Sequence, residues 1–217
     1  VDLGALFPDA ALRWLRTRGA HTVLGQRVQR IHTQPDQTWH VDGDVFDQVV
    51  LACSPQEASR LVAGSGVGTA AAAQWVAQAD ALRFEAITTV YAMSATVAQT
   101  PLAQPMLALR NTAALPAQFV FDRGQLGSPR GMLAFVISAS EGDRATVERQ
   151  VCAQAAAQLG LQDVQPLQTV VEKRATFACT PGLQRPAMDV APGLRACGDY
   201  VEGPYPATLE GAVRSGG

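Results

Sequence analysis

The C-terminal stretch, residues 194–217, constrains the fold of this chain more than any other part of it. Its sequence is LRACGDYVEGPYPATLEGAVRSGG. This pattern predicts a short apolar strand, a Gly/Pro turn, and a small-residue helix that begins near Ala207. A strand–loop–helix of this kind presents the first N–H groups of its helix to a ligand. Gly198 would let that ligand approach the backbone closely, and Asp199 offers a carboxylate to a sugar hydroxyl group.

Composition narrows the class of protein. The chain has 217 residues, of which 47% are hydrophobic, so it can build one large core or two small ones. Its net charge of −2 leaves no basic field, which argues against nucleic acid as a partner. The longest strongly apolar run, Met132–Ile137, is too short to span a bilayer.

Cysteine usage and the two termini bear on location. The four cysteines fit neither a zinc spacing nor a dense disulfide framework, so we expect reduced thiols in a cytoplasmic protein. They are Cys53, Cys152, Cys179 and Cys197. The chain begins without a visible signal peptide and ends on Gly216–Gly217 where a helix has only begun. We therefore expect both ends to be cut from a longer protein.

The first part of the chain predicts a helix followed by a β-meander. The helix extends from Leu6 to Arg18, because Pro8 suits a first turn and Gly19 suits the residue after the last turn. Alternating apolar residues and turn signals then predict strands, the last of which is buried. These strands are His21–Ile31, 39–41, 45–46 and Asp47–Ala52.

Two helices are predicted next, at Glu57–Ala63 and Thr69–Leu82, with Trp75 as a core anchor. The glycine-rich stretch between them, Gly64–Gly68, resembles a nucleotide-binding loop only superficially. Its glycines do not have the G-x-G-x-x-G spacing, and it follows a helix where that motif needs a strand. We interpret it as a flexible loop between helices.

From Phe84 the pattern predicts an antiparallel sheet with helices, inserted between the first and last parts of the chain. A helix over Asp143–Leu159 has one apolar face and a capping aspartate, and Gly160 ends it. Four strands precede this helix and one follows it: 86–94, 106–109, 118–121, 131–138 and 168–174. The predicted fold class is α/β (α+β).

The sequence gives only weak signals for a metal site, a serine hydrolase or a catalytic pair of carboxylates. His32 and His40 can meet across a β-hairpin, but no third ligand is obvious, so we predict no metal site. No serine lies in a G-x-S-x-G motif, so hydrolase chemistry has no nucleophile signature. Asp42 and Asp44 flank Gly43 and are better explained by a hairpin tip than by a catalytic pair.

The C-terminal stretch resembles the FAD-binding motif of the flavin-containing amine oxidase and phytoene desaturase superfamily. The run from Gly198-Asp199 to Ser215 is most similar to the bacterial hydroxysqualene dehydroxylases. The resemblance implies an incomplete FAD-binding domain, 1–55 and 190–217, which contains the β-meander. It also implies an inserted substrate domain, 56–189.

Specific cofactor contacts are implied by position in this resemblance. The Gly25–Val28 segment would run beside the adenine, with Val28 touching it through its backbone, and Ala52 would lie near the sugar. Leu209 would donate its N–H to the flavin C2 carbonyl, and Asp199 would hold the ribityl or pyrophosphate region. The other implied contacts are Gly198, Ala207, Thr208 and Ala212.

The resemblance also implies a substrate and leaves alternatives. Monoamine oxidases carry an aromatic residue where this chain has Thr208, a departure that favours an apolar isoprenoid over an amine. Phe177 and Tyr205 would line the substrate cavity, although Phe177 also fits an ordinary core position. The implied reaction is reductive dehydroxylation of hydroxysqualene to squalene, with substrate entering from a membrane surface. The alternatives are a flavin amine oxidase or phytoene-type desaturase, and a non-catalytic fragment or apolar-ligand-binding module.

One part of the superfamily's cofactor site has no counterpart here. The strand, G-x-G-x-x-G turn and helix that hold the pyrophosphate are absent from these residues. We therefore expect this chain to purify colourless or weakly loaded with FAD. The sequence leaves the catalytic residues and the oligomeric state open.

Overall fold

The computed structural model describes residues 3–217, which divide into two compact units. The first unit contains residues up to Thr22 together with Glu85–Ala175, and the second contains Val23–Phe84 and Thr176–Gly217. Both units mix helices with strands, which confirms the predicted α/β (α+β) class. The FAD-binding domain over residues 1–55 and 190–217 and the substrate domain over residues 56–189 remain predictions. The borders of the two compact units lie at other residues.

The chain begins with two short helices in the first unit, α1 (Leu3–Leu6) and α2 (Pro8–Thr17). Pro8 occupies the first turn of α2, as the sequence predicts, and the helix ends at Thr17, one residue before the predicted end at Arg18. Leu6, Phe7 and Trp14 keep more than half of their surface exposed.

The second unit opens with a three-stranded antiparallel meander, β1 (Ile31–Thr33), β2 (Trp39–Val41) and β3 (Asp44–Phe46). The predicted strand His21–Ile31 is wrong for residues 21–30, which have no regular secondary structure. Gly25 adopts a φ of 73°, a left-handed conformation that interrupts an extended strand. Val28 packs partly against the core, but residues 21–30 form no ladder of backbone hydrogen bonds with another strand.

A second sheet in this unit is mixed and has the order β10-β11-β4. Its strands are β4 (Val49–Leu51), β10 (Asp189–Ala191) and β11 (Leu194–Ala196). β4 and β11 are parallel, with Leu51 opposite Ala196. The prediction that residues 47–52 form a buried strand is wrong for Val50, which is 59% exposed, because only one face of this sheet contacts the core.

Two helices contribute side chains to the core of the second unit, α3 (Pro55–Ala63) and α4 (Ala70–Asp80). Ser54 and Thr69 cap them by accepting hydrogen bonds from the N–H groups of Glu57 and Ala72. Trp75 is 3% exposed, and its indole N–H donates to the Ala187 carbonyl at 2.8 Å, which confirms it as a core anchor. The stretch 64–68 is a loop between the two helices, as predicted.

The first unit is built on a five-stranded sheet with the order β6-β7-β8-β5-β9. The strands are β5 (Phe84–Met93), β6 (Met106–Ala108), β7 (Phe119–Asp122), β8 (Met132–Ser138) and β9 (Gln165–Phe177). A short helix α5 (Ala95–Gln99) follows β5, and a 3₁₀ turn (Arg123–Leu126) follows β7. β5 pairs with β8, β6 with β7 and β7 with β8, each in antiparallel orientation.

One long helix, α6 (Arg144–Leu159), packs on one face of this sheet. Asp143 caps it by accepting from the Thr146 N–H at 2.9 Å, and Gly160 ends it with a left-handed φ of 69°. Val147, Val151 and Ala155 bury their side chains in the core of the unit. Among the described residues, no helix has both the length and the apolar character needed to cross a bilayer.

Candidate functional site

The terminal strand–turn–helix forms as the sequence predicts. β11 leads through Gly198 and Asp199 into a turn, and the last helix, α7, runs over Leu209–Ser215. Thr208 is its N-cap, because Oγ1 accepts a hydrogen bond from the Gly211 N–H at 3.0 Å. The same hydroxyl donates to the Tyr205 carbonyl at 2.6 Å. Thr208 therefore joins the turn to the helix that follows it.

This turn is tightly folded and its backbone is strained. Tyr205 and Ala207 both have a φ of 56°, a left-handed conformation that residues with a Cβ seldom adopt. The Tyr205 carbonyl lies so close to the α-carbon of Gly211 that any side chain at position 211 would overlap it. Backbone strain of this kind is often stored at functional sites. The turn is also tied back to the strand end, since the Ala207 N–H donates to the Asp199 carbonyl at 3.2 Å.

Gly198 is required by its own chain. A Cβ at this position would lie 2.7 Å from the ring of Tyr200. The Gly198 N–H donates to Ser215 Oγ at 2.8 Å, and that hydroxyl lies 2.7 and 3.2 Å from the carbonyl oxygens of Ala212 and Gly198. Ser215 therefore fixes the end of α7 against the end of β11, a role that the sequence analysis missed because the two residues are distant in sequence.

Tyr200 is almost fully buried, with 1% of its surface exposed. Its hydroxyl group finds no hydrogen-bond partner among the described residues. Burial raises the pKa of this phenol far above its usual range, with smaller contributions from the nearby Cys53 and Cys197 thiols. Tyr200 therefore remains a neutral phenol at any physiological pH.

Asp199 is half-buried at the edge of a small cavity of about 90 Å³, which Gly203, Gly211 and Arg214 also line. Burial raises the pKa of its carboxyl group, and Arg185 lowers it to a smaller extent. Arg185 itself binds the carbonyl oxygens of Val201 and Gly203 and so orders the loop beside Asp199.

The start of α7 leaves donors available. The N–H groups of Leu209 and Glu210 make no hydrogen bond within the described part of the chain, and Leu209 is 77% exposed. Ala212 lies one turn further along and is half-buried. Tyr205 is 53% exposed, and the guanidinium of Arg214 lies 5.2 Å from the centre of its ring.

The Gly25–Val28 segment is held by side chains from other elements. Arg60 donates to the carbonyl oxygens of Val28 and Gln29 at 2.9 and 2.7 Å. Asp42 accepts from the N–H groups of Gln29 and Arg30 at distances from 2.8 to 3.1 Å, which lowers the pKa of its carboxyl group. The pair Asp42 and Asp44 thus marks a hairpin tip, as predicted.

An open cavity of about 880 Å³ lies beside this segment. Its lining combines the backbone of Gly25 and Gly43 with the side chains of Arg27, Arg30 and Asp42. Arg27 forms an ion pair with Glu57, which also pairs with Arg60 at 3.0 Å. The pKa of Glu57 is lowered mainly by its hydrogen bond with Arg60 and then by that with Arg27. Sequence spacing gave no signal for Arg60, because α3 is far from residue 28 along the chain.

The remaining candidate residues have simple surroundings. Ala52 is exposed at the end of β4, and Cys53 beside it is half-buried, so that burial raises the pKa of its thiol. Phe177 is 2% exposed and packs in the core of the second unit, the ordinary position that the sequence also allowed. His32 and His40 meet across β1 and β2 with ring centres 4.8 Å apart. The described residues contain no cluster of three metal-ligating side chains, and all four cysteines are free.

The sequence of the chain matches a known protein family. The family model of the flavin containing amine oxidoreductases matches residues 6–217. The chain belongs to that family. No curated protein matches this member by sequence.

Solved structures share its fold at low identity. One is described as a protoporphyrinogen oxidase from Exiguobacterium sp. 255-15, with a TM-score of 0.62 and 12% identity, over 95% of this chain and 48% of that one. Another is an oxidoreductase from Methanosarcina mazei, with a TM-score of 0.66 and 15% identity, over 94% of this chain and 50% of that one. This family member therefore spans about half the length of these solved structures.

The residues present fit one part of the cofactor. The free N–H groups at the start of α7 suit a flavin carbonyl, and the open cavity beside Gly25–Val28 suits a nucleotide base. The Val28 carbonyl already accepts from Arg60, so only its N–H is available to a base. Donors for a pyrophosphate in a G-x-G-x-x-G turn are absent from the sequence of this chain.

Proposed function

We propose that this chain is the C-terminal portion of an FAD-dependent oxidoreductase that acts on a long apolar isoprenoid. The specific reaction that we propose is the reductive dehydroxylation of hydroxysqualene to squalene. The observation that carries this proposal is the terminal turn, in which Thr208 caps α7 while the N–H of Leu209 remains free. The family match supports the flavin chemistry, and the resemblance of the terminal motif supports the substrate.

The cofactor-binding roles follow from position. Leu209 would donate to the flavin C2 carbonyl, and Ala207, Thr208 and Ala212 would lie beside the ring. Asp199, at the mouth of the small cavity, would receive the ribityl hydroxyls, with Gly198 next to it. The cavity beside Val28 would receive the adenine, and Ala52 would lie near the sugar. Bound in its reduced form, FAD would supply a hydride.

The N-terminus of α7 would adjust the redox balance of the flavin but would not carry out the reaction. Negative charge on a flavin is opposed by N–H groups at a helix terminus, which contribute about 0.3–1 kcal/mol when exposed. An interaction of this size changes an equilibrium by less than about tenfold. The residues of this chain therefore position the cofactor and adjust its redox balance.

Thr208 favours an apolar substrate over an amine. Its hydroxyl is committed to two hydrogen bonds, one from the Gly211 N–H and one to the Tyr205 carbonyl. An aromatic residue, which monoamine oxidases carry at this position, cannot form this cap. Position 208 thus serves the turn in this chain and supplies no wall of an aromatic cage.

The overall reaction balances with one hydride and one proton. The allylic C–O bond of hydroxysqualene breaks, its oxygen leaves as water after taking a proton, and a hydride forms the new C–H bond of squalene. The substrate carbon is reduced and the flavin is oxidised. A long hydrocarbon substrate also implies contact of the protein with a membrane surface, which we propose to be peripheral and on the cytoplasmic side.

The test is product analysis. The protein is loaded with FAD, reduced without oxygen, and offered hydroxysqualene, and the lipid extract is analysed by mass spectrometry. Parallel reactions with the oxidised protein contain phytoene or benzylamine. We expect squalene from the first and no product from the others. Conversion of phytoene or benzylamine would reject this substrate and support the corresponding desaturase or amine oxidase, and no product from any of them would reject the activity for this chain.

A second candidate is a non-catalytic module that binds an apolar ligand. The sequence of the chain favours this candidate, because it contains no G-x-G-x-x-G motif to hold a pyrophosphate. This candidate predicts that the purified chain has no flavin absorbance near 450 nm even after incubation with excess FAD. A stoichiometric flavin spectrum after this incubation would reject the candidate. The same spectrum from the chain as purified would also reject our expectation that it purifies colourless or weakly loaded.

A further inference from the structure

We propose that His32 and His40 together bind one divalent transition-metal ion that prefers imidazole ligands, such as Ni²⁺, Cu²⁺ or Zn²⁺, with water completing its coordination. This inference does not rest on the proposed function, and the terminal motif contributes nothing to the site. The spacing of the two histidines by itself predicts no metal site, because it shows no third ligand. The register of the strands and the distance between the rings, which spacing cannot show, favour a site with two protein ligands.

The register of the meander places the two imidazoles side by side. His32 of β1 lies directly opposite His40 of β2. Residues directly opposite each other on antiparallel strands share a face of the sheet, with Cβ atoms about 4.5–5.5 Å apart. Both rings therefore lie on the same face of the meander.

The other face of the meander anchors both strands in the core of the second unit. Ile31 and Trp39 are each 1% exposed, and the Trp39 indole N–H donates to the Pro192 carbonyl at 3.1 Å. His32 is exposed and His40 is half-buried. The anchored strands thus fix the backbone of both ligands, while an ion can reach the rings from solvent.

The distance between the rings suits two ligands of one ion. Their centres are 4.8 Å apart, with an angle of 43° between the ring planes. With a metal–nitrogen bond of about 2.0–2.1 Å, the centre of each ligating ring lies about 3.2 Å from the ion. Rings on neighbouring coordination positions, about 90–110° apart, then have centres about 4.5–5.2 Å apart. The observed separation lies within this range.

The donor set selects the class of ion. Among the residues that the structure describes, no group of three His, Cys, Asp or Glu side chains could hold a metal, so the protein supplies two ligands here. Neutral imidazole suits Ni²⁺, Cu²⁺ and Zn²⁺, whereas Mg²⁺ and Ca²⁺ are held by oxygen ligands. We therefore expect the first three ions to bind, Cu²⁺ most tightly, and the other two not to bind.

Three arginines supply positive charge near the pair, and carboxylates accompany them. Arg30 lies on the same face, two residues before the first histidine, and Asp42 accepts a hydrogen bond from its N–H at 2.8 Å. Glu57 forms ion pairs with the other two, Arg27 and Arg60.

A further carboxylate lies on the other side of the pair. Asp36 is in the turn between β1 and β2, where the Thr38 hydroxyl donates to it at 2.8 Å and the Thr38 N–H at 3.1 Å. These hydrogen bonds lower the pKa of Asp36, the hydroxyl having the largest effect, and His40 makes a smaller contribution. Together with Asp42 and Glu57, it gives three carboxylates against three guanidinium groups. The net charge around the rings therefore does not oppose a bound cation.

The experiment titrates the full chain with Ni²⁺ and measures affinity and stoichiometry by isothermal titration calorimetry. Ni²⁺ is the probe because thiolates select Zn²⁺ and Cu⁺, and the chain has free cysteines. We expect one ion for each chain. His32→Gln and His40→Gln each remove one ligand, and each should weaken binding by about a hundredfold or more, because the second ligand of a pair binds intramolecularly.

Controls separate this pair from other donors. His21→Gln removes the remaining histidine, which is exposed in the first unit, and Cys179→Ser removes an exposed thiol. Both should bind Ni²⁺ as the unchanged chain does. The double variant of His32 and His40 should bind only slightly more weakly than either single variant, because one imidazole without its partner contributes little.

Thermal unfolding gives a second measurement. Without metal, the Tm of His32→Gln and His40→Gln should equal that of the unchanged chain, because neither ring is buried in the core. With Ni²⁺ in excess, the Tm of the unchanged chain should rise and that of the two variants should not.

The inference is overturned if the unchanged chain does not bind Ni²⁺, if either single variant binds as tightly as the unchanged chain, or if His21→Gln or Cys179→Ser weakens binding equally. Binding of two ions, one of which is lost in each single variant, would show independent sites and would also overturn it. Displacement of Ni²⁺ by an equal concentration of Mg²⁺ would contradict the proposed class of ion.

Discussion

Two segments of the second unit carry the predicted cofactor contacts, and the chain holds them in different ways. The terminal turn around Tyr205–Thr208 is closed sterically, because the Tyr205 carbonyl fills the space beside Gly211. The Gly25–Val28 segment has no regular secondary structure. Arg60 donates a hydrogen bond to the Val28 carbonyl, and Asp42 accepts hydrogen bonds from the N–H groups of the next two residues, Gln29 and Arg30. The first segment is thus fixed by packing and the second by polar contacts at the surface.

This difference has a consequence for binding. A sterically closed turn presents Leu209 and its free N–H in one position before any ligand arrives, which lowers the entropic cost of binding. A segment held by exposed charged groups opens locally at lower free energy. We therefore expect the flavin end of the site to be preorganised, and the adenine end to become ordered on binding.

The largest expected effect comes from opening the terminal turn. Gly211→Ala would overlap the Tyr205 carbonyl, and we expect a loss of about 1–3 kcal/mol in the free energy of unfolding. Urea unfolding followed by the fluorescence of the buried Trp39 and Trp75 measures it. Gly216→Ala is the control, since the nearest atom to its added carbon lies 3.6 Å away, and it should stay within about 0.5 kcal/mol. Equal effects of both substitutions would show that the turn is not closed by packing.

Removal of the helix cap should have a smaller effect on the same turn. Thr208→Ala loses the acceptor for the Gly211 N–H and the donor to Tyr205, and we expect a cost of about 1 kcal/mol. Thr208→Ser keeps both hydrogen bonds and should retain most of the stability. The same urea titration compares them, and a loss in the Ser variant as large as in the Ala variant would argue against capping by the hydroxyl.

A local effect is expected in the other segment. Asp42→Gly tolerates the left-handed φ of 50° at this position but removes the acceptor for Gln29 and Arg30. Hydrogen exchange of these two amides should become many times faster, with little change in the exchange of the core. Asp44→Gly, across Gly43, is the control. Unchanged exchange at residues 29 and 30 would contradict the assignment of Asp42 as their anchor.

This anchor should also depend on pH. Hydrogen bonds from Gln29 and Arg30 lower the pKa of the Asp42 carboxyl group below its ordinary value of 3.8. The stabilisation is therefore present above that value and is lost as the pH falls through the lowered pKa. Protection of the two amides should fall in the same range of pH.

The smallest expected effect is a gain in stability. Burial raises the pKa of Asp199 above its ordinary value of 3.8, so the ionised carboxylate is less stable in the folded chain than in the unfolded one. This destabilisation is present at neutral pH and absent once the pH lies below 3.8. Asp199→Asn should therefore raise the Tm slightly at about pH 7 and leave it unchanged at about pH 3. Asp44→Asn is the control, and an equal gain at both values of pH would contradict this explanation.

The same variant separates stability from cofactor binding. If Asp199 receives the ribityl hydroxyls, Asp199→Asn should weaken FAD binding, measured by fluorescence quenching, while the protein itself becomes more stable. A variant that is more stable and binds FAD equally well would remove Asp199 from the proposed site.

Local patterns predicted most of the regular elements. Asp143 stands at the N-cap that the sequence indicates, since a cap depends only on residues within one turn. The strands of the five-stranded sheet follow from alternation and turn residues in the same way. The interpretation of residues 21–30 failed because period-two alternation describes side chains and does not provide a partner strand.

The sequence by itself determined the family motif, the cap at Asp143 and the order of helices and strands, because these depend on neighbours along the chain. Only the tertiary structure decided that Arg60 holds Val28, that Ser215 binds Gly198, and that the Tyr200 ring requires a glycine at 198. It also decided which face of the five-stranded sheet packs against α6. Each of these contacts joins residues that a pattern of short period cannot connect, and each depends on how elements pack once they have formed.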